Sequence, residues 1–146
     1  MRLEYCDEER FPNHFKLWES NCRRSLQGKA GQRALRELEA ALLALPAKRL
    51  VQGVLRSDDG DVCALGAYGQ YKGLDLASFE TCDKEITGVE VGIAGGMPRL
   101  VAWAVVDRND RLDGQYHGGT YVLFTPEERY DQMLVWVRAQ LKDAAA

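Results

Sequence analysis

Cysteine and histidine are the residue types here that could supply a catalytic nucleophile or bind a metal. A reactive thiol needs a neighbouring base or cation, and the available pairing is Cys63 with His117 or His14. Neither spacing supports it, and Cys63 alternates with Leu65 as a core-facing residue would. Without a Cys-x-x-Cys pair, a zinc site is not indicated either. We therefore predict no enzyme activity, no cofactor and no metal, with reduced thiols packed as small hydrophobic side chains at Cys6, Cys22, Cys63 and Cys82.

Two other stretches resemble ligand-binding loops only superficially. Gly28-Lys29-Ala30-Gly31 is not a phosphate-binding loop, because its lysine lies between the glycines and alanine follows. Residues 107–118 have Arg111 at the fifth position of a calcium-loop register and Gly118 where a bidentate glutamate is required. Both stretches are interpreted as structural.

Five cations fall between residues 23 and 36 without any acidic residue among them. Some lie near the start of a predicted helix, where the helix dipole disfavours positive charge by about 0.3–1 kcal/mol. Because these cations lower the stability of the helix, their presence favours a role in binding an anionic partner, either nucleic-acid phosphate or an acidic protein face. The alternative is a solvated face with salt bridges to acids elsewhere. The cations are Arg23, Arg24, Lys29, Arg33 and Arg36.

Aromatic side chains cluster in a glycine-rich insert, roughly residues 113–124. Tyr116, His117 and Tyr121 are of the types that anchor protein interfaces when exposed. Alternatively, Tyr121 and Phe124 only hold the loop against the core. The three tryptophans are interpreted as core or edge packing.

Size and composition limit the function classes. The 146 residues are 46% hydrophobic and 28% charged, values of an ordinary globular domain that exclude a largely disordered chain or a membrane bundle. The net charge of −3 argues against indiscriminate coating of nucleic acid. The first residues contain no apolar signal-peptide core, so we expect a cytoplasmic protein.

Hydrophobic periodicity predicts an α+β, mainly α single domain, with about five helices around one core. Thr125-Pro126-Glu127-Glu128 forms a capping box that begins the last helix. Asp59-Gly60 between two apolar runs predicts a β-hairpin near residues 50–67, although either arm could instead be a buried helical segment. Residues 88–96 are rich in glycine, which suits a turn or close packing. Residues 107–120 are predicted to form a loop. The other helices are expected from Pro12, over 31–45, over 75–87 and from Pro98 to Asp107.

Several short blocks of the chain carry a resemblance: 28–32 with 35–38, 45–50, 62–67, 92–94, 109–110 and 125–130. Together, between residues 21 and 141, they resemble a family of small bacteriophage and bacterial proteins with no established activity. The chain differs in its longer glycine-rich insert. The resemblance implies a phage or prophage setting in a bacterial host cell, not a chemistry.

We therefore predict a non-enzymatic protein that binds a host or phage macromolecule, its concrete form being a counter-defence (anti-CRISPR-like) inhibitor. A protein partner is preferred. The alternatives are a nucleic-acid-binding module that uses residues 23–36, and a small enzyme with an unrecognised site.

Overall fold

A computed structural model describes residues 12–79, 84–111 and 114–142. The mainly α, α+β class predicted from the sequence is confirmed. In these ranges the chain forms a short 3-10 helix, six α-helices and one two-stranded antiparallel sheet. The 3-10 helix is Leu76–Phe79, and the remaining elements are α1 Pro12–Gln27, α2 Lys29–Ala44, α3 Ala64–Tyr71, α4 Lys84–Ala94, α5 Arg99–Arg111, β1 Gly114–His117, β2 Thr120–Leu123 and α6 Pro126–Gln140.

Helix α2 lies at the centre of the core, within one residue or two of its predicted bounds. Leu35, Leu38 and Leu42 recur on one face and are completely buried. Helix α6 packs antiparallel to α2, since the hydroxyl of Tyr130 near its start donates to the carbonyl of Leu42 at 2.8 Å. Every α-helix contributes buried apolar side chains to the core cluster.

The predicted capping box at the start of α6 is confirmed. The Thr125 hydroxyl accepts from the main-chain N–H of Glu128 at 3.1 Å, and the Glu128 carboxylate accepts from the Thr125 N–H at 3.0 Å. These reciprocal bonds satisfy amides that a helix start leaves without partners. They fix the point where the chain enters α6.

The hairpin predicted near residues 50–67 is wrong, and the alternative of a buried helical segment is confirmed for its second arm. Only a single antiparallel bridge, Arg56 with Val62, forms at the Asp59-Gly60 turn, and the second arm becomes helix α3. Residues 64–69 are all buried, so α3 has no polar face whose period could distinguish it from a strand. The two-stranded sheet lies instead at residues 114–123.

Residues 88–96 show both predicted alternatives, close packing and a turn, whereas the loop predicted over 107–120 is corrected. Residues 88–94 belong to helix α4, because their glycines permit close packing: a Cβ on Gly92 would lie 2.9 Å from that of Ala102 on α5. The turn is confined to 95–96, where Gly96 has a φ of +101°. Residues 107–111 continue α5, and, of the other residues predicted as loop, 114–117 form β1 and 120 begins β2. Of the helix predicted over 75–87, residues 76–79 are 3-10, 84–87 begin α4, and 80–83 lie outside the described residues.

Candidate functional site

The β1–β2 hairpin brings the predicted interface aromatics together. Tyr116 pairs directly with Tyr121 across the strands, and their ring centroids lie 5.1 Å apart. Gly118 and Gly119 form the turn with positive φ angles of 57° and 84°, as a two-residue turn of the I′ type requires. The glycine-rich composition is therefore needed for the reversal of the chain.

One face of the hairpin is aromatic and aliphatic. Because side chains alternate along a strand and Gly114 pairs with Leu123, Tyr116, Tyr121 and Leu123 share this face. Their exposed fractions are 74%, 42% and 67%. Phe124, just after β2, is half-buried against the core. The alternative in which Tyr121 and Phe124 hold the loop against the core therefore describes Phe124, whereas Tyr121 is among the exposed side chains.

The described side chains of the hairpin from Tyr116 to Leu123 are exposed to solvent. All four residues of β2 are exposed, and so is His117 at the end of β1. Among the described residues no third strand joins the sheet, so main-chain groups along its outer edges have no strand partner. Residues 114–123 contain no Asp, Glu, Lys or Arg. Natural proteins usually protect such edges with charge, proline or a covering element.

The basic segment forms a second exposed surface. Lys29, Arg33 and Arg36 recur at i, i+4 and i+7 on the exposed side of α2, and Arg23 and Arg24 lie in the last turns of α1. Arg23 pairs with Glu19 at 3.7 Å. The other four cations make no ion pair with any residue of the described ranges. The salt-bridge alternative therefore describes Arg23 alone.

The hairpin and the basic segment are not one surface. Gln32 near the start of α2 bonds to the carbonyl of Gln140 at the end of α6, at 3.0 Å. The hairpin, by contrast, leads into the start of α6 at Pro126. Fifteen residues of helix separate these points by roughly 22 Å. The two groups of residues predicted as one binding set thus lie near opposite ends of α6.

The described thiols lack the environment of a nucleophile. Cys63 caps α3, where its Sγ accepts from the main-chain N–H of Gly66 at 3.4 Å, and burial raises its pKa to about 11. Burial also raises the pKa of Cys22 to about 11, with smaller contributions from Asp107 and Glu19. Reactive cysteines need a lowered pKa. In the ranges described, no three His, Cys, Asp or Glu side chains gather as a metal site would require.

A cleft that the sequence did not indicate lies between α1, α5 and α6. Its volume is about 230 Å³, and its lining includes the half-buried side chains of Trp18, Trp136 and Arg108. These residues come from three helices far apart in the chain, so no local spacing could have grouped them. Trp18, predicted as core or edge packing, packs partly buried against the core cluster and lines this cleft together with Cys22.

Comparisons with known proteins returned no matching family model, curated protein or solved structure. Within the described part, no helix combines the length and the apolar character needed to span a bilayer.

Proposed function

We propose that this protein is a non-enzymatic binding protein, that its partner is another protein, and that the β1–β2 hairpin is the contact surface. The observation that carries the proposal is the hairpin over residues 114–123, which contains no Asp, Glu, Lys or Arg and has Tyr116 and Leu123 exposed on one face. An isolated two-stranded hairpin is marginally stable in water. A partner that covers this face would both bury its apolar surface and stabilise its pairing.

The chemistry of the hairpin favours an extended segment of a partner protein as the ligand that it binds. Such a segment adds to an unpaired strand edge through main-chain hydrogen bonds, while side-chain contacts provide specificity. Tyrosine is among the residue types that dominate binding energy at protein interfaces. Nucleic acid fits this surface poorly, because residues 114–123 offer no lysine or arginine for phosphate. Inhibition of a host or defence protein is the concrete form that the family resemblance favours.

Site-specific photo-crosslinking tests the hairpin directly. A benzophenone amino acid replaces Tyr116 in one preparation and Tyr71, a 50% exposed tyrosine of α3, in the control. We expect a discrete protein adduct in host lysate from position 116 and none from position 71. A Leu123→Ser variant should abolish the adduct while retaining the wild-type unfolding temperature, since Leu123 is exposed. Equal adducts from both positions, or an adduct unaffected by Leu123→Ser, would contradict the proposal.

Nucleic-acid binding is the second candidate function, favoured by four cations that have no ion pair with a described residue: Arg24, Lys29, Arg33 and Arg36. Affinity for an oligonucleotide would then fall steeply as salt rises, because bound phosphates release counterions. An Arg33→Gln/Arg36→Gln variant should bind more weakly and with a smaller salt slope. Arg49→Gln is the single-charge control, because Arg49 is paired with Asp61 at 2.8 Å. Unchanged affinity in the Arg33/Arg36 variant would exclude this surface.

A further inference from the structure

Beyond this proposed function, we propose that the α1/α5/α6 cleft binds a small, singly charged aromatic anion. None of the residues given for its lining belongs to the hairpin, although Arg23 of the basic segment is one of them, and the cleft encloses about 230 Å³. Drug-sized pockets measure about 300–1,000 Å³. A ligand of this cleft is therefore limited to one or two rings with a compact anionic group.

Arg108 on α5 provides the anion-binding group. Its side chain is half-buried, and its Nε is shielded from solvent without a hydrogen-bond partner. The guanidinium makes no ion pair with any residue in the described part of the chain. Buried charged groups are normally paired, because removing them from water is costly. A carboxylate or sulfonate in the cleft would supply the partner that Arg108 lacks, and guanidinium groups bind such anions through two parallel hydrogen bonds.

Two tryptophans provide the aromatic part of the site. Trp18 of α1 and Trp136 of α6 line the cleft, and both are half-buried, so part of each side chain remains accessible. Indole rings attract other aromatic rings through stacked or edge-to-face contacts worth about 0.5–1.5 kcal/mol beyond the burial of area. Leu26 and Ala104 add apolar lining. The cleft therefore combines an aromatic surface with a single unpaired cation.

The other charged residues of the lining limit the charge of the ligand. Arg23 is paired with Glu19, and Asp107 also faces the cleft. With two arginines and two carboxylates, the lining is close to neutral, so a polyphosphate would meet nearby negative charge. A monoanion uses the charge of Arg108 without requiring further cations.

Two isosteric probes separate charge from aromatic contact: naphthalene-2-sulfonate and the uncharged naphthalene-2-sulfonamide. Binding is followed by the indole N–H resonances in two-dimensional NMR, assigned with Trp→Phe variants. Trp103 serves as the internal reference, because it is not part of the lining. We expect saturable shifts at Trp18 and Trp136 with the sulfonate, and affinity about tenfold weaker for the sulfonamide, as the loss of a charge-assisted hydrogen bond predicts.

An Arg108→Gln variant tests the assigned cation. It should bind the sulfonate about tenfold more weakly and the sulfonamide unchanged, while Arg33→Gln, with the same change in net charge, should bind both as wild type does. The variant should remain folded, because the Arg108 side chain has no ion pair with a described residue to lose; a wild-type unfolding temperature checks this. The proposal is overturned by equal affinity for the two probes, by sulfonate affinity that survives Arg108→Gln, or by shifts that do not saturate. None of these outcomes bears on the hairpin.

Discussion

The side-chain amide of Gln32 donates a hydrogen bond to the main-chain carbonyl of Gln140, 3.0 Å away and 108 residues later in the chain. The same amide donates to the carbonyl of Leu26 at 2.8 Å, and the Gln32 side-chain oxygen accepts from the N–H of Lys142, also at 2.8 Å. Carbonyls in the last turn of a helix have no partner within it. Gln32 thus satisfies the ends of α1 and α6 with one buried side chain.

Gln32→Leu should lower the free energy of unfolding by roughly 2–4 kcal/mol, since it leaves buried carbonyls without donors. Urea denaturation measures the loss. Gln70→Leu is the matched control, because Gln70 is exposed on α3, and its effect should stay within about 0.5 kcal/mol. Similar midpoints for the two variants would mean that water replaces the Gln32 amide.

Gly31→Ala should destabilise the protein although alanine is the better helix former. A Cβ at Gly31 would lie only 2.0 Å from the main-chain oxygen of Ser25, so α1 and α2 would have to separate. We expect a loss of about 2–3 kcal/mol, the range of an overpacked core site.

Gly28→Ala provides the comparison for Gly31→Ala. The nearest atom to a Cβ there is the Ser25 oxygen at 3.6 Å, and the φ of Gly28 is −72°, which alanine adopts. Its effect on thermal unfolding should remain within about 1 kcal/mol, the scale of a changed helix cap. If both variants unfold at the same temperature, the close approach at Gly31 is not required.

Helices α2 and α6 could be predicted from the sequence, because their apolar residues or capping residues lie close together in the chain and α2 has a single apolar face. Leu35, Leu38 and Leu42 repeat on one helical face, and the Thr125 capping box needs only four consecutive residues. The sequence was insufficient for α3 and α4, which are extensively buried and use glycine for close packing. A Cβ on Gly66 would lie 2.5 Å from the Leu55 oxygen, a constraint visible only in three dimensions.

The same distinction applies to the candidate sites. The composition of residues 113–124 was enough to predict Tyr116 and Tyr121 as interface residues, because glycines and aromatic residues close together in the chain can be seen in the sequence itself. That they form the sheet, while Asp59-Gly60 forms only a single bridge, depends on α3 occupying the second arm. The cleft at Arg108 arises where three helices meet, and periodicity within one helix cannot reveal it.

Asn109 on α5 holds the segment between α2 and α3. Its Oδ1 accepts from the N–H of Ala64 at 3.1 Å, and its Nδ2 donates to the carbonyl of Val51 at 3.1 Å. Asn109→Ala should cost roughly 2–3 kcal/mol, since both groups lose a buried partner. Asn109→Asp should cost more at pH 7, because it removes the donor and places a buried carboxylate beside Asp110.

The comparison of the two Asn109 variants separates hydrogen bonding from charge. Relative to wild type, the deficit of Asn109→Asp should shrink between pH 7 and pH 4 as the carboxyl becomes protonated, whereas that of Asn109→Ala should stay constant. Urea denaturation at both pH values measures this. Parallel behaviour of the two variants would show that charge plays no part.

Stability should decline as pH rises through about 9, the ordinary pKa of a thiol, because burial raises the pKa of the described cysteines. Burial raises the pKa of Cys22 from 9.0 to about 11 in the folded protein. A raised pKa means that the unfolded chain loses the thiol proton first, so the stabilisation is complete below pH 9 and is lost as pH approaches 11. For each such thiol, the free energy of unfolding should fall by about 1 kcal/mol between pH 7.5 and pH 9.5.

Cys22→Ala isolates this contribution. The variant should be less stable at pH 7.5, because it removes a buried sulfur, but between pH 7.5 and pH 9.5 it should lose about 1 kcal/mol less than wild type. Both proteins are unfolded in urea with a reducing agent present, so that oxidation does not enter the comparison. Cys63→Ala should behave in the same way, since burial also raises the pKa of Cys63 to about 11. An identical pH dependence in wild type and Cys22→Ala would show that the Cys22 thiol is not the titrating group and that another group ionising in this range causes the loss of stability.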